Sequence, residues 1–232
     1  MQITNQNSII INRNISFIKM KYLLLDVAGT ILHKPDLITK INDTLLKHGF
    51  LVSAEKLRYN HKILSEVIKF PDRTDADFYI KFNAELLYSL GIIPNDALLK
   101  DIFESCSYLP WHKFSDCDVL NEIEIPIGII SNFNSSLQKK LNEFFGPIFS
   151  DFFVSEDLGV SKPSVDFYRK ALDKINLDPK DILYIGDSFK LDLKPSLELG
   201  LNSYIIDRDN FYPDNRHTIK SLSEIKKLIQ II

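Results

Sequence analysis

The chain has 232 residues, 45% hydrophobic and 25% charged, an ordinary globular composition with length for one large core or two small ones. Its 28 Lys and Arg against 31 Asp and Glu give a formal charge of −3, so no net positive field draws a nucleic acid. Apolar runs such as residues 127–130 fall far short of the roughly 20 residues that cross a bilayer, so no membrane partner is expected. The two cysteines, Cys106 and Cys117, form no C-x-x-C pair, which excludes a disulfide framework or a cysteine zinc site and fits a reducing, cytoplasmic setting.

Residues 1–19 read as an N-terminal extension. Its apolar patch at Ile9, Ile10 and Ile11 is broken at once by Asn12, Arg13 and Asn14, without the long apolar run of a signal peptide. Five short apolar runs bounded by turn residues then predict buried strands over 22–25, 125–130, 152–154, 182–185 and 203–206. Helical patterns at 135–145, 164–176 and 191–199, the last stopped by Gly200, alternate with the later strands. This alternation predicts an α/β fold with a doubly wound, parallel, Rossmann-like sheet.

The interval 34–112 breaks the alternation with four consecutive helical patterns and no convincing strand. The first starts at Pro35 and Asp36 and runs to Gly49; the second starts at Ser53 and stops before Pro71. A third covers 74–90, with a capping box of Thr74 and Asp77 and a stop at Gly91, and a fourth covers 95–105. The expected organisation is an all-helical cap domain at 34–112, inserted into an α/β core made of 20–33 and 113–232.

Polar groups fall at the carboxyl ends of the expected strands. Asp26 follows the 22–25 run, Ser131 the 125–130 run and Asp187 the 182–185 run, and Lys162 lies in the loop after 152–154. In an open parallel sheet these ends face one crevice, where ligands bind. Each residue alone also reads as a turn or helix-cap residue. Together, two carboxylates on one edge call for a cation, and an oxygen-only set suits Mg²⁺. A hydroxyl and an ammonium beside them suit the oxygens of a phosphoryl group. Asp26 is placed to be a covalent nucleophile, with Gly29 and Thr30 turning the backbone and offering N–H groups to phosphate.

The residues Asp26-Val27-Ala28-Gly29-Thr30, Ile129-Ile130-Ser131-Asn132, Val160-Ser161-Lys162-Pro163 and Ile185-Gly186-Asp187-Ser188 with Asp192 resemble, in order, the four motifs of the haloacid dehalogenase superfamily. The chain is similar to the subgroup with a helical cap between the first and second motifs. The resemblance implies a hydrolase of small phosphorylated metabolites with Asp26 as nucleophile. Ser131, Asn132 and Lys162 join Gly29 and Thr30 around the phosphoryl oxygens. Mg²⁺ is implied on Asp26, Asp187 and the Ala28 carbonyl, with Asp192 a second-sphere group or a ligand through water.

One position departs from the pattern. Phosphatases of the family carry an acid-base aspartate two residues after the nucleophile, and here that residue is Ala28. Loss of such a group typically costs on the order of 10² to 10⁴ in rate. Three readings stay open: a phosphatase without this carboxyl, by nature or by an Asp-to-Ala exchange; a phosphonoacetaldehyde hydrolase-like enzyme, whose first motif has this form and whose Schiff-base lysine lies in the cap, with Lys62 and Lys69 as candidates; and a non-catalytic protein that binds a phosphorylated ligand. His33 stands as a substitute acid or a hinge imidazole, with the hinge favoured. Tyr59, Phe78, Tyr79, Phe82 and Tyr88 read as cap core, and Trp111 as hinge packing.

Overall fold

The computed structural model describes residues 20–71, 74–213 and 215–230; the extension expected at 1–19 lies outside them. Strand β1 (Tyr22–Leu25) is the centre of a parallel sheet, joined on one side by β4 (Ile127–Ser131) and β5 (Asp151–Val154). On the other side lie β6 (Ile182–Gly186), β7 (Asn202–Ile206) and β8 (Thr218–Ile219), in the order β5-β4-β1-β6-β7-β8.

Period-two side-chain alternation gives each strand two buried faces. Leu23, Leu25, Ile129 and Ile185 enter one core cluster, while Tyr22, Leu24, Ile130 and Tyr184 enter the other. The first cluster is closed by α5 (Leu137–Phe145) and α9 (Ile225–Ile229), the second by α7 (Val165–Ile175). Among the described residues the sheet therefore has six strands where the apolar runs predict five. The two-residue β8, which pairs with β7, is too short to register as a run. The expected 125–130 strand begins two residues later, so Ser131 is its last residue.

The chain leaves β1 through a tight turn into β2 (Leu32–His33), which pairs antiparallel with β3 (His112–Lys113). Between them, among the described residues, lie the helices α1 (Leu37–Lys47), α2 (Ala54–Val67), α3 (Ala76–Ser89) and α4 (Asp96–Cys106). They enclose their own cluster, including Ile41, Leu45, Leu57, Leu86, Leu98 and Ile102. Ser53, Asp75 and Asn95 accept from the backbone N–H three residues on, which starts α2, α3 and α4. The α3 cap is thus Asp75, replacing the expected Thr74 and Asp77 box; Thr74 Oγ1 instead donates to the Tyr79 hydroxyl.

Of the aromatic residues expected in the insert's core, Phe82 is buried and packs with Phe70 and Phe78, whereas Tyr59 and Tyr88 are exposed. Tyr59 packs edge-on against Phe211 of the core instead. His33, at the end of β2, stacks on Phe114, the residue after β3, at 4.0 Å, and Trp111 packs against the core beside them. The expected 191–199 helix is interrupted: a wide π-helical turn over Phe189–Leu193 precedes a short α8 (Lys194–Glu198).

Candidate active site

β1 has its successors on both sides, so the chain's crossovers diverge at its carboxyl end and leave a crevice there. Asp26, the next residue, ties its N–H to the Ile185 carbonyl at 2.9 Å and is buried. Its Oδ1 accepts from Lys162 Nζ at 2.7 Å and its Oδ2 from Thr30 Oγ1 at 3.2 Å. Burial, with the negative charges of Asp192 and Asp187, pushes the Asp26 carboxyl up to about 7 against the opposing pull of Lys162.

Lys162 is 2% exposed, and all three of its ammonium hydrogens have acceptors. They go to Asp26 Oδ1, to Asp192 Oδ1 at 2.7 Å and to the Tyr184 hydroxyl at 3.1 Å. Burial alone would discharge this amine; the Asp192 and Asp26 carboxylates outweigh it and hold the charge. Asn132 fixes the lysine's backbone from both directions, its Oδ1 accepting from Lys162 N–H and its Nδ2 donating to the Lys162 carbonyl. The Asn132 amide thus holds Lys162 with its oxygen and one of its two N–H bonds, which leaves a single N–H for the phosphate contact expected of it.

Asp192 is likewise saturated. Its Oδ1 accepts from Lys162 and Tyr184, and its Oδ2 from the N–H groups of Asp187 and Ser188 at 3.1 and 3.0 Å. Four acceptor directions are filled, so this geometry leaves none for direct metal ligation. Burial works to raise the carboxyl, yet Lys162, Tyr184 and the Ser188 N–H hold it below the usual carboxylate range.

The turn after Asp26 also departs from expectation. The Gly29 N–H bonds to the Leu32 carbonyl and the Thr30 N–H to the Val27 carbonyl, so neither is free for phosphate. Among the described residues the N–H groups of Val27 and Ala28 are the ones in this turn without a backbone partner. Gly29 has φ +82°, and a Cβ there would lie 2.1 Å from Asp187 Oδ2, so this close approach requires glycine. Arg208 braces the turn from behind, donating to the Gly29 and Thr30 carbonyls and to both oxygens of Asp116.

Lys62, from α2 of the insert, crosses the crevice. Its Nζ donates to Asp187 Oδ2 at 2.5 Å and to the Asp187 carbonyl at 2.7 Å. One helical turn on, Glu66 accepts from Ser188 Oγ and from the N–H groups of Phe189 and Lys190. Lys69, the other candidate, is exposed. Glu66, Tyr184 and Arg208 went unassigned in the sequence. A tyrosine inside an otherwise apolar strand was the one available signal; Lys62 and Glu66 look like a solvated i, i+4 pair until the helix is docked.

The oxygens of Asp26, Asp187 and Asp192 converge within 4.8 Å of one another. An oxygen-only cluster of this kind, with the Ala28 carbonyl on the adjoining turn, fits a hard divalent cation. The Lys62 ammonium on Asp187 shows the demand for positive charge at this point. Among the described residues both cysteines are free thiols, and no helix is long and apolar enough to cross a membrane.

A model of the haloacid dehalogenase-like hydrolases matches residues 20–200. The glyceraldehyde 3-phosphate phosphatase of Methanocaldococcus jannaschii is 32% identical over 91 residues, which span 36% of this chain and 39% of that protein. The magnesium-bound HAD hydrolase YfnB of Bacillus subtilis superposes with a TM-score of 0.64 at 23% identity, covering 92% of this chain and all of that one. A 2-haloacid dehalogenase from Pseudomonas syringae gives 0.55 at 19% identity, over 90% of this chain and 98% of that one. At such identities these two likenesses are of fold, shared by enzymes of different chemistry. With four motif segments meeting at one sheet edge and a family match over most of its length, the chain belongs to the haloacid dehalogenase-like hydrolases.

Proposed function

We propose that this protein is a magnesium-dependent hydrolase of small phosphomonoesters that works through an aspartyl phosphate on Asp26, with residues 34–112 as its cap. The observation that carries the reading is the buried Lys162, held between Asp26 and Asp192 at the carboxyl end of the sheet. An ammonium fixed beside a carboxylate nucleophile can turn an N–H bond from Asp26 to a phosphoryl oxygen as negative charge passes from the carboxylate to the transferring group. The Methanocaldococcus relative, a phosphatase of a three-carbon sugar phosphate, supports this substrate class. The free thiols support a cytoplasmic setting.

In this reading Asp26 Oδ2, the oxygen not held by Lys162, attacks phosphorus in line. Lys162, the Ser131 hydroxyl and the N–H groups of Val27 and Ala28 bind the phosphoryl oxygens. Asp26, Asp187 and the Ala28 carbonyl hold Mg²⁺, which when bound offsets the charge of phosphate and carboxylates. Asp192 acts through Lys162 and the 187–188 backbone. Docking of α2 over the crevice excludes water while the ester is bound.

Without a carboxyl at position 28 the turnover is slow. The test is Mg²⁺-dependent phosphate release from a panel of small phosphomonoesters, glyceraldehyde 3-phosphate included, by the protein and its Ala28→Asp variant. A gain of about 10² or more in the variant is expected. No release by either protein overturns the reading, and retained phosphate binding in that case would mark a binding protein.

The position of Lys62 favours one second reading, phosphonoacetaldehyde cleavage through a Schiff base on that lysine. Against it, Asp187 overcomes the effect of burial and keeps the amine charged, whereas imine formation needs it neutral. Borohydride reduction in the presence of phosphonoacetaldehyde separates the two, because only the Schiff-base reading yields a covalent adduct on Lys62.

A further inference from the structure

We infer that Lys62 is the group that meets the leaving oxygen of the ester, in the place that Ala28 leaves without a donor. The inference rests on the phosphomonoesterase reading above. Breaking the P–O bond of an alkyl ester leaves an electron pair on a poor leaving group, and a donor aimed at that oxygen lowers the barrier. The methyl group of Ala28 offers none.

Among the described residues the charged donors of the core at this edge are already engaged. Lys162 has given its three N–H bonds to Asp26, Asp192 and Tyr184. Thr30 Oγ1 donates to Asp26, and the Asn132 amide to the Lys162 carbonyl. The Arg208 guanidinium points to Asp116 and to the carbonyls behind the turn. Ser131 ends β4, beside the nucleophile's strand, where the transferring phosphoryl oxygens lie. What remains is the cationic side chain that the cap sends across the crevice.

Lys62 uses two of its N–H groups on Asp187. Among the described residues the nearest further carboxylate, Glu66, is 3.8 Å away, beyond hydrogen-bond distance, so none of them takes the third N–H. Asp187 Oδ2, which anchors the ammonium, packs directly on Gly29, the neighbour of Ala28. The ammonium thus lies over the very turn from which an acid-base side chain would have reached. It approaches from the cap, while Asp26 lies buried at the end of the core sheet.

In the step assigned here, Asp26 Oδ2 forms a bond to phosphorus and the bond from phosphorus to the ester oxygen breaks. The electron pair stays on that oxygen, which is held by the Lys62 N–H and takes its proton from solvent water. The hydroxyl half of water reaches phosphorus in the second step, which releases phosphate and returns Asp26.

The experiment compares the protein with Lys62→Met on two esters in Mg²⁺: glycerol phosphate, whose leaving alkoxide needs a donor, and 2,4-dinitrophenyl phosphate, whose phenolate does not. Loss of about 10²-fold in kcat/KM on the alkyl ester and less than about threefold on the aryl ester is expected. Adding Ala28→Asp to the Lys62→Met protein should restore alkyl ester turnover. An equal loss on both esters, as from a cap that no longer docks, or no loss on either, overturns the role of Lys62 alone. Absence of turnover by the unmodified protein on both esters overturns that role together with the phosphomonoesterase reading.

Discussion

Lys62 Nζ and Asp187 Oδ2 lie 2.5 Å apart although 125 positions separate them in the chain, one on a helix of the insert and the other at the end of a core strand. The ammonium sits on a carboxylate proposed to ligate Mg²⁺, so lysine and metal compete for the same charge. Lys62→Met is therefore expected to bind Mg²⁺ about tenfold more tightly, which is ~1.4 kcal/mol. Titration calorimetry with MgCl₂ on both proteins measures this, and equal affinities would show that the pair does not oppose the metal.

Lys162 is the only cation touching the buried Asp26 and Asp192 carboxylates among the described residues. Removing it in Lys162→Met strands two negative charges, a change that typically costs about 3–5 kcal/mol. Asp26 can escape part of this by taking a proton, so the loss of stability should be smaller at pH 5 than at pH 8. Urea unfolding of both proteins at the two pH values tests it; a cost independent of pH would mean that the carboxylates are not what the lysine neutralises.

The raised Asp26 carboxyl sets a pH dependence whose sign is fixed. Between its ordinary value of 3.8 and about 7 the folded protein binds more protons than the unfolded chain. The contribution of this group to stability is therefore full below about pH 4 and is lost as pH rises through about 7. A cation bound to Asp26 needs the ionised form, so Mg²⁺ binding near pH 7 should release a fraction of a proton. Calorimetry in buffers of different ionisation enthalpy reads that proton, and Asp26→Asn should abolish the release.

Gly29→Ala brings a Cβ to 2.1 Å from Asp187 Oδ2 in a backbone conformation of φ +82°. The carboxylate must move off the turn, so Mg²⁺ affinity should fall by about tenfold or more. The strain itself should cost about 1–3 kcal/mol. Gly49→Ala, also at positive φ but with open space around the site of its Cβ, serves as the control: comparable loss of stability with unchanged Mg²⁺ affinity.

Much of the core was legible because its physics is local. A central parallel strand is buried on both faces, so Leu23, Leu24 and Leu25 announce β1 as an apolar run, and the polar residue that ends the run announces the crevice. The four helices of the insert were legible from capping residues such as Ser53 and Asn95, whose side chains bond three positions away. β8 was not, since two residues carry no periodicity and it exists by pairing with β7.

The charged site divides along the same line. Sequence alone placed Asp26, Ser131 and Asp187 on one sheet edge, because strand ends in a parallel sheet are set by hydrophobic runs and each of these residues follows one, with Lys162 in the loop beyond a fourth run. Only the tertiary structure decided what each group does with its hydrogen bonds. It closed all four acceptor directions of Asp192, turned the Asn132 amide onto the Lys162 backbone, and tied off the Gly29 and Thr30 N–H groups within their own turn. It also brought Lys62 and Glu66 from a helix surface, where they read as a solvated pair, onto the loop that carries Asp187. Such partners depend on how one packed element docks on another, which is written in the shape of two assembled surfaces and not in the spacing of residues along either.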